Sequence, residues 1–194
     1  MKVYLLNHLQ DITPQQLERD LQCLPQWRRD AALAYKHHAG RVQCAEAYLL
    51  LMQALCEGYG IEDEQTFDTG EHGKPSLHDH PEIHFNLSHC KKGVICVVDD
   101  APVGCDIESI ATKVDPQLCN YCMNEQETEQ IMTAKEPTIE FARLWTMKEA
   151  VVKLTGKGLI TPLREILDNI PGITIETHAD DAHGYVYSIA QYKK

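Results

Sequence analysis

The sequence predicts an α+β fold made of two similar subdomains side by side in one chain, residues 1–101 and 102–194. Three observations predict it. Each half carries one long helical segment, "GRVQCAEAYLLLMQALCEGYG" in the first and "PTIEFARLWTMKEAVVKLTG" in the second. Each helix is followed by strand-like runs, "IHFNLSHCKKGVICVVDD" and "GITIETHADDAHGYVYSIAQY". The chain of 194 residues, 43% hydrophobic and 24% charged, is long enough for one large domain or two small packed ones with a real core.

The elements follow in order. "MKVYLLNHLQD" opens as a strand over Val3–Leu6. It lacks the extended apolar core and small-residue cleavage site of a signal peptide, so a cytoplasmic location is expected. "TPQQLERDLQCL" is a helix with Thr13 as N-cap and Pro14 at its first position. The long, largely buried first helix ends at Gly58 or Gly60, and "DTGEHGKPSLHDHPE" reads as loop. Two strands and a turn lead into "PVGCDIESI". In the second half "NEQETEQIM" is helical, Gly156 closes the long helix, and the last run is a hairpin of alternating strands.

Composition excludes some partners. No run approaches the ~20 apolar residues that a membrane span needs. A net charge of −11 argues against nonspecific nucleic-acid binding, which needs a basic surface. Most of the eight cysteines lie in apolar runs, where thiols act as small hydrophobes. Cys119 and Cys122 form a CxxC with no second pair to complete a zinc site, so free, reduced thiols are expected.

The segment "PVGCDIESI" raises a chemical question. Asp106 and Glu108 sit two apart in a strand and therefore project from one face, where they repel unless a cation lies between them. Such a pair suits a hard divalent ion, magnesium when phosphates complete the shell; it also suits a solvated strand end. Gly104 permits close backbone approach beside it. On the second long helix, Lys148 falls inside the apolar stripe of Phe141, Leu144, Trp145, Val151 and Val152, where a lysine can snorkel from a core edge. Glu149 and Lys153 have the spacing of a surface ion pair. Ser88 and His89 interrupt a strand in "FNLSHC", and Lys74 in "HGKPS" is either a phosphate ligand or a solvated loop lysine. "TGKGL" lacks the leading glycine of a P-loop.

The motifs "GKP", "FNLSHC", "VGCDIE" and "FARLWTMKEAVVKLTGKGL", in this order and spacing, resemble the 4′-phosphopantetheinyl transferases of the larger, surfactin-synthetase-activating type. The resemblance is strong over about residues 72–160 and loose in the N-terminal third. It implies a pseudo-dimer of two α+β halves with the active site in the cleft between them. It implies transfer of the phosphopantetheine arm of coenzyme A, as co-substrate, to a serine of an acyl or peptidyl carrier protein, with release of adenosine 3′,5′-bisphosphate. By the same resemblance Asp106, Glu108 and Glu149 hold Mg²⁺, Lys148 and Lys153 face the phosphates, and Lys74, Ser88 and His89 grip the nucleotide end. Arg41 matches a basic contact with a one-residue offset, and Arg28 and Arg29 match less well. Glu149 and Lys153 would be the catalytic pair, in a monomer. Cys90 and Cys105 replace a usual serine and branched aliphatic, and "KEAVVK" replaces a usual serine–aromatic pair; no charged group that the mechanism needs is lost. The competing readings are a coenzyme A-binding protein without transfer and a magnesium-dependent pyrophosphate hydrolase.

Overall fold

The computed structural model describes residues 1–158, 162–168 and 170–193. Leu159 and Ile160, the end of the motif run, lie outside the described residues. The first half runs β1 (Lys2–Asn7), α1 (Pro14–Gln22), α2 (Gln26–Leu33), α3 (His38–Tyr59), β2 (Phe67–Thr69), β3 (Pro75–Leu77), β4 (His84–His89) and β5 (Gly93–Asp99). The second runs β6 (Val103–Ser109), α4 (Pro116–Cys122), α5 (Glu125–Thr133), α6 (Pro137–Thr155), β7 (Ile173–Asp180) and β8 (Tyr185–Tyr192). One antiparallel sheet has the order β1-β5-β4 and carries α3; another has the order β6-β8-β7 and carries α6. The α+β architecture of paired similar halves is therefore present.

What joins the halves is β5. Its seven residues, "GVICVVD", are all buried, as expected of a strand covered on both faces. Val94, Cys96 and Val98 point into the cluster under α3 with Leu51 and Leu55. Ile95 and Val97 point the other way and pack on Val103, Cys105, Ile107 and Ile189 of the second sheet. A third cluster, with Ile131, Leu144, Val151 and Leu154, fills the space between α6 and α5.

Local signals account for most boundaries. The Thr13 hydroxyl accepts from Gln16 N and starts α1, and Gly60 and Gly156 end α3 and α6 in the left-handed region at φ 71° and 63°. Three elements were not expected. The helix α2 has no side-chain cap and a polar sequence, and α4 is short, although Asp115 caps it through Gln117 N and Leu118 N. The stretch read as pure loop contains the β2–β3 ribbon, with Thr69 opposite Pro75. All eight cysteines are free thiols. Among the described residues no helix is long and apolar enough to cross a membrane.

Candidate active site

Alternation along β6 sends its residues in two directions. Val103, Cys105 and Ile107 enter the core between the sheets. Gly104, Asp106 and Glu108 share the opposite face, and α6 lies against it. A Cβ on Gly104 would overlap the Ala150 carbonyl oxygen and stand 2.8 Å from Leu154 Cα, so this helix seats here only over a glycine. That contact brings Glu149 and Lys153 beside the acid pair. The edge of β6 not paired with β8 meets β4, where Cys105 N donates to Asn86 Oδ1 at 2.8 Å.

The seam between β4, β6 and α6 opens into a hollow of about 370 Å³ lined by Leu87, Ser88, His89, Asp106, Glu108, Trp145, Glu149 and Lys153. At its floor three groups form a triangle. Ser88 Oγ donates to Asp106 Oδ1 at 2.7 Å, and Lys153 Nζ donates to Asp106 Oδ1 at 2.6 Å and to Ser88 Oγ at 2.9 Å. Asp106 is 4% exposed, and its second oxygen, Oδ2, is buried with no hydrogen-bond partner among the described residues. A neighbouring hollow of about 260 Å³, lined by His72, Gly73, Lys74, Pro75 and Asn86 among others, shares Leu87 and Lys153 with the first. A wider hollow of about 700 Å³ at the end of α6, lined by Thr155, Lys157, Glu165 and Asp168 among others, receives none of the motif acids.

The charges in the cleft are mutually strained. Burial, then the Asp106 charge, pushes the Glu108 carboxyl up to about 7, with the Trp145 indole and Lys153 opposing. Burial and then Asp106 also raise Glu149, against the pull of Lys153. His89 is exposed at the rim, yet the packed protein behind it, and then the Lys153 ammonium, hold its imidazole below the ordinary range. Among the described residues, three carboxylates thus face one cleft with a single ammonium, that of Lys153, among them. Among the described residues no three acids, imidazoles or thiols stand close enough to close a metal shell; at Asp106 Oδ1 the ammonium takes a cation's place. The donor set nevertheless suits a hard divalent cation: all-oxygen, acidic, and including one buried oxygen without a partner.

Six expected residues meet here: Ser88, His89, Asp106, Glu108, Glu149 and Lys153. Lys153 turns to Asp106, not to Glu149, so the surface-pair reading of that helix is corrected. Lys148 is also corrected. It lies about 140° around the helix from Lys153, is fully buried, pairs with Glu127 Oε1 at 2.8 Å and donates to Leu163 O at 2.7 Å. It does not face the cleft. Lys74 lines the second hollow, but its ammonium donates to the carbonyls of Lys153 (2.6 Å), Val103 (3.1 Å) and Leu154 (3.2 Å), and burial lowers its pKa. Arg41 lies in the first turn of α3, its Nε on Tyr35 O at 2.8 Å, and lines neither hollow. Arg28 and Arg29 hold backbone carbonyls of Cys44 and Leu21.

Two contributors were missed. Asn86 is buried on the same strand face as Ser88, a polar alternation that signals a polar partner across the seam. Glu127 belongs to a capping box with Asn124, readable from the Asn-x-x-Glu spacing, and the same carboxylate holds Lys148.

Residues 102–192 match the family model described as the 4′-phosphopantetheinyl transferase superfamily. The chain is 28% identical over 166 residues to 4′-phosphopantetheinyl transferase Sfp of Bacillus subtilis strain 168, covering 84% of this chain and 74% of that one. It is 40% identical over 114 residues to psf-1 of Bacillus pumilus, covering 57% and 48%. With gsp of Aneurinibacillus migulanus it shares 33% identity over 118 residues, covering 59% and 48%. The matches thus span about half the length of these two relatives and about three quarters of the first.

Proposed function

We infer that this chain, whose residues 102–192 match the 4′-phosphopantetheinyl transferase superfamily, is a member of that family and transfers the phosphopantetheine arm of coenzyme A to a serine of an acyl or peptidyl carrier protein, releasing adenosine 3′,5′-bisphosphate. One observation carries the assignment of the site. Asp106, Glu108 and Glu149 share a cleft with Ser88, His89 and Lys153, and the buried Asp106 Oδ2 has no hydrogen-bond partner among the described residues.

Magnesium held by Asp106, Glu108 and Glu149 would neutralise the pyrophosphate and polarise the phosphorus under attack. The protein's own groups do the rest. The carrier serine oxygen bonds to the β-phosphorus as the bond to the bisphosphate breaks, and the serine proton passes to Glu149, directly or through a water it orients. The raised affinity of Glu149 for protons suits that role. Lys153 sets its ammonium against the charge that grows on the leaving bisphosphate, and Ser88 and His89 line the approach of its phosphates.

The reading extends to partners and organisation. Residues 1–101 and 102–194 are taken as the two units because each sheet draws its strands from one of them. Since both contribute to one cleft, the chain is read as a monomer. The free thiols support a reducing, cytoplasmic setting. The carrier is assigned to the apolar surface around α4. Cys119, Cys122 and Met123 are buried there, while Leu118, Tyr121 and Met132 are exposed beside an apolar hollow of about 490 Å³. An acidic carrier meeting a chain of net charge −11 needs such a surface, because long-range charge opposes the encounter.

The test is intact mass spectrometry of a panel of apo-carriers incubated with this protein, coenzyme A and magnesium. Addition of phosphopantetheine to a carrier serine is the expected result. Bisphosphate formed without carrier would identify a hydrolase instead, and binding without any product a non-enzymatic coenzyme A protein.

A further inference from the structure

We propose that Lys74 is a positioning residue of this site and not a ligand of the nucleotide: its ammonium clamps the C-terminal end of α6 to the first half and thereby sets Lys153 over Asp106. The proposal rests on the transferase reading for its kinetic arm and on nucleotide binding in this cleft for its NMR arm, while its exchange arm needs neither.

An ammonium has three protons and no acceptor. Those of Lys74 meet three carbonyls, Lys153 O at 2.6 Å, Val103 O at 3.1 Å and Leu154 O at 3.2 Å, so the group is satisfied by protein alone. Two of the three belong to the last turn of α6, whose final carbonyls have no partner within the helix. A cation there is also favoured by the helix dipole. The third acceptor opens β6, the strand that carries Asp106.

The stem is fitted as well as the head. Gly156 ends α6 at φ 63°, and a Cβ on it would stand 3.2 Å from Lys74 Cδ. Lys74 therefore crosses the helix end where there is no side chain and reaches the carbonyls behind it. One acceptor is the backbone of Lys153 itself, whose side chain makes the 2.6 Å contact with Asp106. Through Lys74, the segment between β2 and β3 ties the first half to both elements that build the acid cluster.

Lys74→Met keeps the stem and removes every donor. Its expected signature has two parts. Amide hydrogen exchange in the last two turns of α6 should quicken by about tenfold or more in the ligand-free protein, with α3 unchanged. Turnover should fall by about tenfold for coenzyme A and 3′-dephospho-coenzyme A alike, leaving the ratio of their kcat/KM values within about twofold of wild type. In the wild-type protein, adenosine 3′,5′-bisphosphate should shift the Lys153 side-chain NMR resonance and leave that of Lys74 in place; this measurement decides the matter if Lys74→Met does not fold. A Lys74 resonance that moves with the bisphosphate, a collapse of the ratio, or unchanged exchange in α6 would each overturn the proposal. Should the wild type transfer nothing to any carrier, the transferase reading fails by itself, and exchange and the NMR titration still decide the role of Lys74.

Discussion

Gly104 lies so close under Ala150 that no side chain fits between them: a Cβ would overlap the Ala150 carbonyl oxygen. The obstructing groups are backbone, so they cannot turn aside. Gly104→Ala should therefore lift α6 from β6 and cost about 3 kcal/mol or more. Urea unfolding would measure it, and turnover should fall with stability because Glu149 and Lys153 ride on the displaced helix. A loss below about 1 kcal/mol would mean that the seat is looser than described.

Lys148 and Glu127 form a buried ion pair remote from the cleft face of α6. Lys148→Met should cost about 3–5 kcal/mol, because it leaves the Glu127 carboxylate buried and unpaired. The double change Lys148→Met with Glu127→Leu should recover much of that loss, as apolar replacements of whole buried pairs do. Coenzyme A affinity, measured by calorimetry on variants that fold, should stay within a few-fold of wild type. A large affinity loss in the double variant would restore Lys148 to the phosphate site.

Of the two Asp106 oxygens, Oδ1 accepts from Lys153 and Ser88, and Oδ2 is buried with no hydrogen-bond partner among the described residues. Asp106→Ala should abolish most magnesium-dependent turnover while coenzyme A still binds in part. Glu149→Gln keeps size and one oxygen but loses basicity, and should lower kcat by orders of magnitude with a much smaller change in coenzyme A affinity. Full turnover of Glu149→Gln at high magnesium would make Glu149 a ligand only and send the search for the base elsewhere.

A pH dependence of stability follows from Glu46 on α3. Burial first, and then the Asp20 charge and hydrogen bond, push its carboxyl up to about 7. A folded-state value above the unfolded one means that the native protein holds this proton more tightly. Its stabilising effect is complete below the unfolded value and is lost as pH rises through about 7. Glu46→Gln should therefore gain on the order of 2 kcal/mol over wild type at pH 8, with the advantage shrinking toward pH 5. Urea midpoints of both proteins across that range are the measurement; parallel curves would show that Glu46 titrates normally.

The helices and strands with strong local causes, the pairing of similar halves and the set of acids were all legible in the order of residues. Thr13, Gly60 and Gly156 mark helix ends through capping and positive φ, which are properties of a few adjacent residues. The i, i+2 spacing of Asp106 and Glu108 declares a shared face, whatever covers it. The α2 and α4 helices and the β2–β3 ribbon escaped notice because each run is at most 8 residues long, too short to display an apolar period. Where each cation goes was settled in three dimensions. Lys74, Lys148 and Lys153 look alike as residues of one motif set, yet one clasps carbonyls, one is buried against Glu127 and one meets Asp106. The reason is physical: an ammonium is drawn to whatever oxygens the fold brings within about 3 Å, and those oxygens come from segments distant in the chain.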